Sequence, residues 1–118
     1  MKVLNLEFCR KIRDFTPISK IERFEDLNVS FTNISDISFI ENNKNIKSLD
    51  LECCEKIKDF TPISKLERLE FLIVNRTNIS DISFLENNKN IEKLNMKMCE
   101  NINKNHIIFN REDIEIYY

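Results

Sequence analysis

The sequence contains no glycine and no tryptophan, and alanine and glutamine are missing as well. Without glycine there is no Gly-rich loop to cradle a phosphate. Only one histidine is present, His106, so no paired-histidine metal motif forms and no Ser-His-Asp set is recognisable. His106 sits in a drifting tail and reads as a surface residue. We therefore expect no enzyme, and assign no catalytic residue, cofactor or metal. Long hydrophobic runs are also lacking: the longest obvious one is Phe71–Val74, far short of a membrane helix. The opening segment MKVLNLEFCRKI has no apolar h-region and no small-residue cleavage site, so we read no signal peptide. Neither sign of charge dominates. With 18 basic and 20 acidic residues the net charge is -2, which gives no basic field for nucleic acid and no basic amphipathic stretch for a membrane. We expect neither partner.

Hydrophobic residues make up 42% and charged residues 32%, a globular rather than a disordered composition, and the length suits one domain over residues 1–118. Gly and Ala need GC-rich codons, whereas the abundant Ile, Asn and Lys do not. The composition points to an AT-rich genome: a large DNA virus, a protist or an AT-rich bacterium. Four cysteines without a signal segment imply reduced thiols, hence a cytoplasmic location, in the host if the source is viral. Four glycosylation sequons, at Asn28, Asn33, Asn75 and Asn78, read as chance products of an Asn- and Ser-rich chain.

What is present is repetition. Asn5–Leu49 aligns with Asp50–Leu94, and 32 of the 45 positions are identical. A third copy starts at Asn95 and drifts. Inside this unit a shorter pattern, apolar-x-x-Leu-x-apolar, recurs as Phe24/Leu27/Val29, Ile46/Leu49/Leu51, Leu69/Leu72/Val74 and Ile91/Leu94/Met96, with Leu4 and Leu6 beginning the series. The key leucines, Leu4, Leu27, Leu49, Leu72 and Leu94, follow one another at steps that alternate between 23 and 22. A fixed period in the twenties marks a solenoid. Leu-x-Leu alternation is the period of a strand, so the leucines point inward and Asn5 and Glu7 outward. Parallel neighbours need a crossover, which the roughly 16 residues between strands supply. One coil cannot bury its apolar edge alone, but stacked coils share a continuous core. Coils begin near residues 3, 26, 48, 71 and 93, with a possible closing strand at 113–118. There Ile114 and Ile116 should face inward, with Ile114 closing a shortened coil that starts from Leu94.

On the far side, Ile34, Ile37, Phe39, Ile40, Ile57, Phe60 and Ile63 should line the core. Pro17 and Pro62 are expected in non-helical edge or turn backbone. Asn42–Asn43 and Asn87–Asn88 are expected at corners, in left-handed backbone that replaces the missing glycine.

The motif L-x-x-L-x-L-x-x-N/C-x-L and the segments TNISDISFL and DFTPISKLERLEFL resemble leucine-rich repeats of the internalin type, over about residues 3–102. The resemblance implies an α/β-type solenoid. A parallel sheet would form the concave face of a short horseshoe, with about five coils and a mostly irregular or short-helical convex side. It also implies an inner ladder at Cys9, Thr32, Cys54, Thr77 and Cys99. Cys9, Cys54 and Cys99 lie two coils apart, about 9.6 Å at ~4.8 Å per strand, too far for a disulfide. Cys53 should face outward.

Function is sought where the two copies differ. Of the 13 differences, Ile21/Leu66, Phe24/Leu69 and Ile40/Leu85 are core swaps. Seven fall at or just beyond outward strand positions: Asn5/Asp50, Phe8/Cys53, Asp26/Phe71, Asn28/Ile73, Ser30/Asn75, Phe31/Arg76 and Ser48/Lys93. The candidate partner-binding residues on the concave face are Glu7, Phe8, Asn28, Phe31, Asp50, Glu52, Phe71, Ile73, Asn75, Arg76, Asn95 and Lys97. Phe71 and Ile73 would form an apolar patch with Phe31 one coil away, and Glu7, Asp50 and Glu52 a solvated acidic rim. The expected function is protein–protein interaction through this face. The alternatives are a self-assembling structural protein and a viral or pathogen adaptor or decoy acting on host proteins. Because Val3–Glu7 reads as a strand with only Met1 and Lys2 ahead of it, a homodimer through a terminal coil is also expected.

Overall fold

Short alternating segments become short strands here. The computed structural model describes residues 2–21, 23–102 and 113–118; His106 lies outside them. Six strands, β1 (Val3–Asn5), β2 (Asp26–Asn28), β3 (Ser48–Asp50), β4 (Phe71–Ile73), β5 (Lys93–Asn95) and β6 (Glu115–Tyr117), form one parallel sheet in chain order. Their register sets Leu4, Leu27, Leu49, Leu72, Leu94 and Ile116 in a single row. The last member corrects an expectation. Ile116, not Ile114, continues the leucine row. The step from Leu94 to Ile116 equals that from Leu27 to Leu49, so the last coil is not shortened and the period persists.

Leu27, Leu49, Leu72 and Leu94 are at most 1% exposed. Each such side chain contributes about 1.5–3 kcal/mol relative to remaining in water. Leu4, Leu6 and Ile12 of the first coil pack against the same core but are only partly buried. The opposite wall of the core is built from Ile34, Ile37, Phe39, Ile40, Ile57, Phe60 and Ile63, all buried.

Among the described residues that wall carries four 3-10 helices, Thr16–Lys20, Ser38–Asn42, Thr61–Lys65 and Ser83–Asn87. Each is introduced by an aspartate. Asp14 Oδ1 accepts from Thr16 N–H (3.0 Å) and Thr16 Oγ1 (2.6 Å), and Asp59 Oδ1 accepts from Thr61 N–H (2.9 Å) and Oγ1 (2.6 Å). Asp36 and Asp81 each accept from a serine N–H, Ser38 and Ser83, at 2.8 Å. Two helix sequences, TPISK and SFIEN/SFLEN, alternate along the chain, which is why the repeated unit is a pair of coils.

Two expectations about this wall are overturned. Pro17 and Pro62 lie in the first turn of a 3-10 helix, where the missing N–H has no helical partner to lose and the fixed φ suits the turn. Asn43 and Asn88 are not left-handed, with φ of -105° and -93°. They are buried, and their amides bridge coils. Asn43 Nδ2 donates to the carbonyls of Ile18 (3.1 Å) and Ile21 (3.2 Å), and Asn88 Nδ2 to those of Ile63 (2.9 Å) and Leu66 (3.0 Å).

The left-handed backbone lies elsewhere. Phe8, Phe31, Cys53, Arg76 and Met98, each at the fourth position after its key leucine, have φ between 56° and 64°. Their conformation lets the sheet ladder run on past the strand. Phe8 N–H donates to Ser30 O (3.0 Å), Phe31 N–H to Glu52 O (2.9 Å), Cys53 N–H to Asn75 O (3.0 Å) and Arg76 N–H to Lys97 O (3.0 Å). A non-glycine residue is destabilised in this region by roughly 1–2 kcal/mol. None of the five is β-branched, the type that tolerates it least.

Candidate functional site

The outward face of the sheet is ruled into rows by the register. One row reads Val3, Asp26, Ser48, Phe71, Lys93, Glu115, and the next Asn5, Asn28, Asp50, Ile73, Asn95, Tyr117. The second row has a structural duty. Its side-chain oxygens accept the N–H two residues on and so shape the exit from each strand. Asn5 Oδ1 takes Glu7 N–H (2.9 Å) and Asn28 Oδ1 takes Ser30 N–H (2.9 Å). Asp50 Oδ1 takes Glu52 N–H (3.0 Å) and Asn95 Oδ1 takes Lys97 N–H (3.2 Å). In the fourth coil the residue is Ile73, which has no oxygen to offer. There an apolar side chain stands in place of a turn-forming one.

Phe71, two residues earlier on β4, is 36% exposed, and Ile73 is half-buried. The Lys93 ammonium lies 5.9 Å from the centre of the Phe71 ring and 3.9 Å from a Glu115 carboxylate oxygen. Asn75, two residues beyond Ile73, donates from Nδ2 to Glu52 Oε2 (3.3 Å). On the N-terminal side the face is acidic. Burial, then the charges of Glu52, Glu7 and Asp26, raise the Asp50 carboxyl above its ordinary range, against the pull of the Glu52 N–H. Burial raises Asp26 as well. Glu7, Glu52 and Asp26 are thus each close enough to act on Asp50. Between the two sequence copies Asp26 and Lys93 stand out only as differing positions.

Four candidates lie apart from this patch. Phe8, Phe31 and Arg76 sit in the left-handed turns beyond the strands. Phe31 is two coils from Phe71, not one, because it follows β2 and Phe71 lies on β4. It stacks instead on Phe8, with ring centres 4.6 Å apart and an interplanar angle of 20°. Lys97 is exposed at the other end, its ammonium 5.7 Å from the Tyr117 ring centre. Ser30, counted among the outward differences, is buried, and its hydroxyl is held by Asn28 Oδ1 at 2.6 Å.

The inner ladder is a set of hydrogen-bonded pairs. The Val29 carbonyl accepts both Thr32 Oγ1 (2.7 Å) and Cys54 Sγ (3.2 Å). The Val74 carbonyl accepts Thr77 Oγ1 (2.7 Å) and Cys99 Sγ (3.0 Å). Cys9, in the first coil, is half-buried, and all four cysteines are free thiols. Burial raises the Cys54 thiol. Burial, then the Glu52 charge, raises the Cys53 thiol, against the pull of Arg76. A raised thiol holds less thiolate at neutral pH and is a poorer nucleophile. Among the described residues no group of three or more His, Cys, Asp and Glu side chains is arranged to hold a metal ion. Among the same residues no helix is long and apolar enough to cross a membrane.

No family model matches the chain, and no curated protein matches it. Solved structures do resemble it. An internalin (inlF) from Listeria monocytogenes is 27% identical, with a TM-score of 0.67 over 72% of this chain and 25% of its own. Internalin C2 (inlC2) from the same organism is 18% identical, with a TM-score of 0.55 over 86% of this chain and 59% of its own. A leucine-rich-repeat protein from Leptospira interrogans is 14% identical, with a TM-score of 0.69 over 100% of this chain and 37% of its own. The chain therefore spans between 25% and 59% of the length of these three proteins.

Proposed function

Because this chain folds as a leucine-rich-repeat protein, and such solenoids offer extended surfaces to other proteins, we propose that it is a protein-binding module whose sheet face grips a partner at Phe71 and Ile73. The observation that carries this reading is Ile73. Asx residues make the strand-exit bond in the first, second, third and fifth coils, and the fourth gives up that bond for an apolar side chain beside an exposed phenylalanine. A residue that is locally worse for the fold and better for contact belongs to a binding site. Asp50, Glu52 and Asn75 border the pair on one side and Lys93 on the other, the polar rim of a small apolar centre. Burial and the neighbouring charges of Glu52, Glu7 and Asp26, which raise the Asp50 carboxyl, favour a cationic group on the partner. No group on this face is assigned a catalytic role. The free thiols of the ladder support work in a reducing compartment, the cytoplasm.

The test is recovery of partners by wild type and by Phe71→Asp/Ile73→Asp. Aspartate at position 73 can accept the strand-exit bond as Asp50 does, so the variant keeps its fold, which circular dichroism checks. Equal recovery by both proteins would sink the assignment. A second reading, a homodimer over the first coil, is favoured by the partial burial of Leu4, Leu6 and Ile12. A monomer by light scattering at high micromolar concentration, unchanged by Val3→Lys, would remove it.

A further inference from the structure

Away from the sheet face, Arg10, Lys11, Arg13 and Lys56, with Ile12 and Asn33, line an open cavity of about 670 Å³. Among the described residues the ion pairs are Lys47–Glu25 and Lys93–Glu115, and none of these four cations takes part in one. The chain contains its own control. The residues 45 positions later are Glu55, Lys56, Ile57, Lys58, Asn78 and Asn101. The scaffold is the same in both places: Asn33 Nδ2 donates to the Arg10 carbonyl (2.8 Å) and Asn78 Nδ2 to the Glu55 carbonyl. The charge is not. Four cations in the first copy correspond to two cations and a carboxylate in the second. The fold therefore does not require the positive cluster.

The residues that precede the cavity in the chain differ between the copies as well. Phe8, two residues before Arg10 and bonded to it through the main chain (Arg10 N–H to Phe8 O, 2.8 Å), is 57% exposed and stacks on Phe31. Their counterparts are Cys53 and Arg76. Guanidinium groups match the oxygens of a phosphate geometrically, and an exposed aromatic pair offers a flat apolar contact. A long polyanion is disfavoured, because the chain as a whole is at -2 and its sheet face carries the carboxylates Glu7, Asp26, Asp50 and Glu52. A short segment with one dense charge fits.

We propose that this cavity is a second binding site, for a phosphorylated peptide: Arg10, Lys11, Arg13 and Lys56 hold the phosphate, and Phe8 and Phe31 hold an apolar residue next to it. The probe is a degenerate peptide library with a fixed central phosphoserine, beside the same library with serine. Wild type should retain phosphopeptides enriched in an apolar residue near the phosphate, and should not retain the serine library. Arg10→Glu/Lys56→Asn installs the second copy's own residues at the first site, so folding is preserved; retention should fall by about tenfold or more. Phe71→Asp/Ile73→Asp should retain phosphopeptides as wild type does, which separates this site from the sheet face. Phosphate-independent retention, no retention, or equal retention by Arg10→Glu/Lys56→Asn would overturn the proposal. Tighter capture of a single-stranded oligonucleotide than of any phosphopeptide would overturn it in favour of nucleic acid.

Discussion

The Cys54 thiol donates a 3.2 Å hydrogen bond to the carbonyl of Val29, one coil back. That carbonyl already accepts Thr32 Oγ1, so one backbone oxygen ties two consecutive ladder positions together. Replacing Cys54 with alanine removes a donor and leaves a small void in a fully buried place; we expect a loss of about 1–3 kcal/mol by chemical denaturation. Cys53→Ala, one residue earlier and half-buried, should change stability far less. In the native protein a thiol reagent should reach Cys53 before Cys54 or Cys99. Labelling of Cys54 at the rate of Cys53 would mean the register is displaced by one residue.

Ile73→Asn should stabilise the protein. The asparagine restores at the fourth coil the strand-exit acceptor that Asn28 supplies at the second, and the expected gain is about 0.5–1.5 kcal/mol. The same change should weaken partner recovery. A fall in melting temperature would show that Ile73 serves packing and not contact.

Asn88 bridges coils from within the core, its amide reaching the carbonyls of Ile63 and Leu66. Asn88→Ala leaves both carbonyls short of a buried donor, and unfolding by urea should show a loss of roughly 2–4 kcal/mol, the sum of two buried hydrogen bonds. Asn90→Ala, whose exposed amide reaches only the Glu67 carbonyl, should cost much less. Similar losses at the two sites would refute the bridging role.

Acid should destabilise the fold through the aspartates that precede the 3-10 helices. Hydrogen bonds from Thr16 and Thr61 hold the Asp14 and Asp59 carboxyls below their ordinary 3.8, and those from Ser38 and Ser83 do the same to Asp36 and Asp81. A lowered folded-state value contributes stability above the unfolded value that is lost as pH falls through the folded one. The window therefore opens just below pH 4. Asp50, raised by burial, acts in the opposite sense: its share is present below 3.8 and is lost as pH rises through its higher folded value. Asp14→Asn/Asp59→Asn keeps the turn acceptor and removes two titrations. Its melting temperature should fall less steeply between pH 4 and pH 2.5 than that of wild type, and parallel curves would refute the assignment.

Most of the fold was legible in the sequence because its cause is local. Alternation within Leu27–Val29 makes a strand with one inward face, and the even spacing of the key leucines brings each such strand beside the last. The burial of Ile37, Phe39 and Ile40 follows from the same stacking. Phe71 and Ile73 could be singled out as apolar residues at outward positions. What the stack alone decided is how polar groups a full coil apart in the chain meet. Asn43 looked like a corner residue, yet its amide faces two carbonyls of the coil before it. Besides Arg23, the left-handed positions fell to Phe8, Phe31, Cys53, Arg76 and Met98, the first four of these reaching the next coil's carbonyl from there, and residue type alone would have named the asparagines. The basic cavity likewise joins Arg10 to Lys56, two coils distant. No pattern along the chain records that approach; it exists only once three coils are stacked.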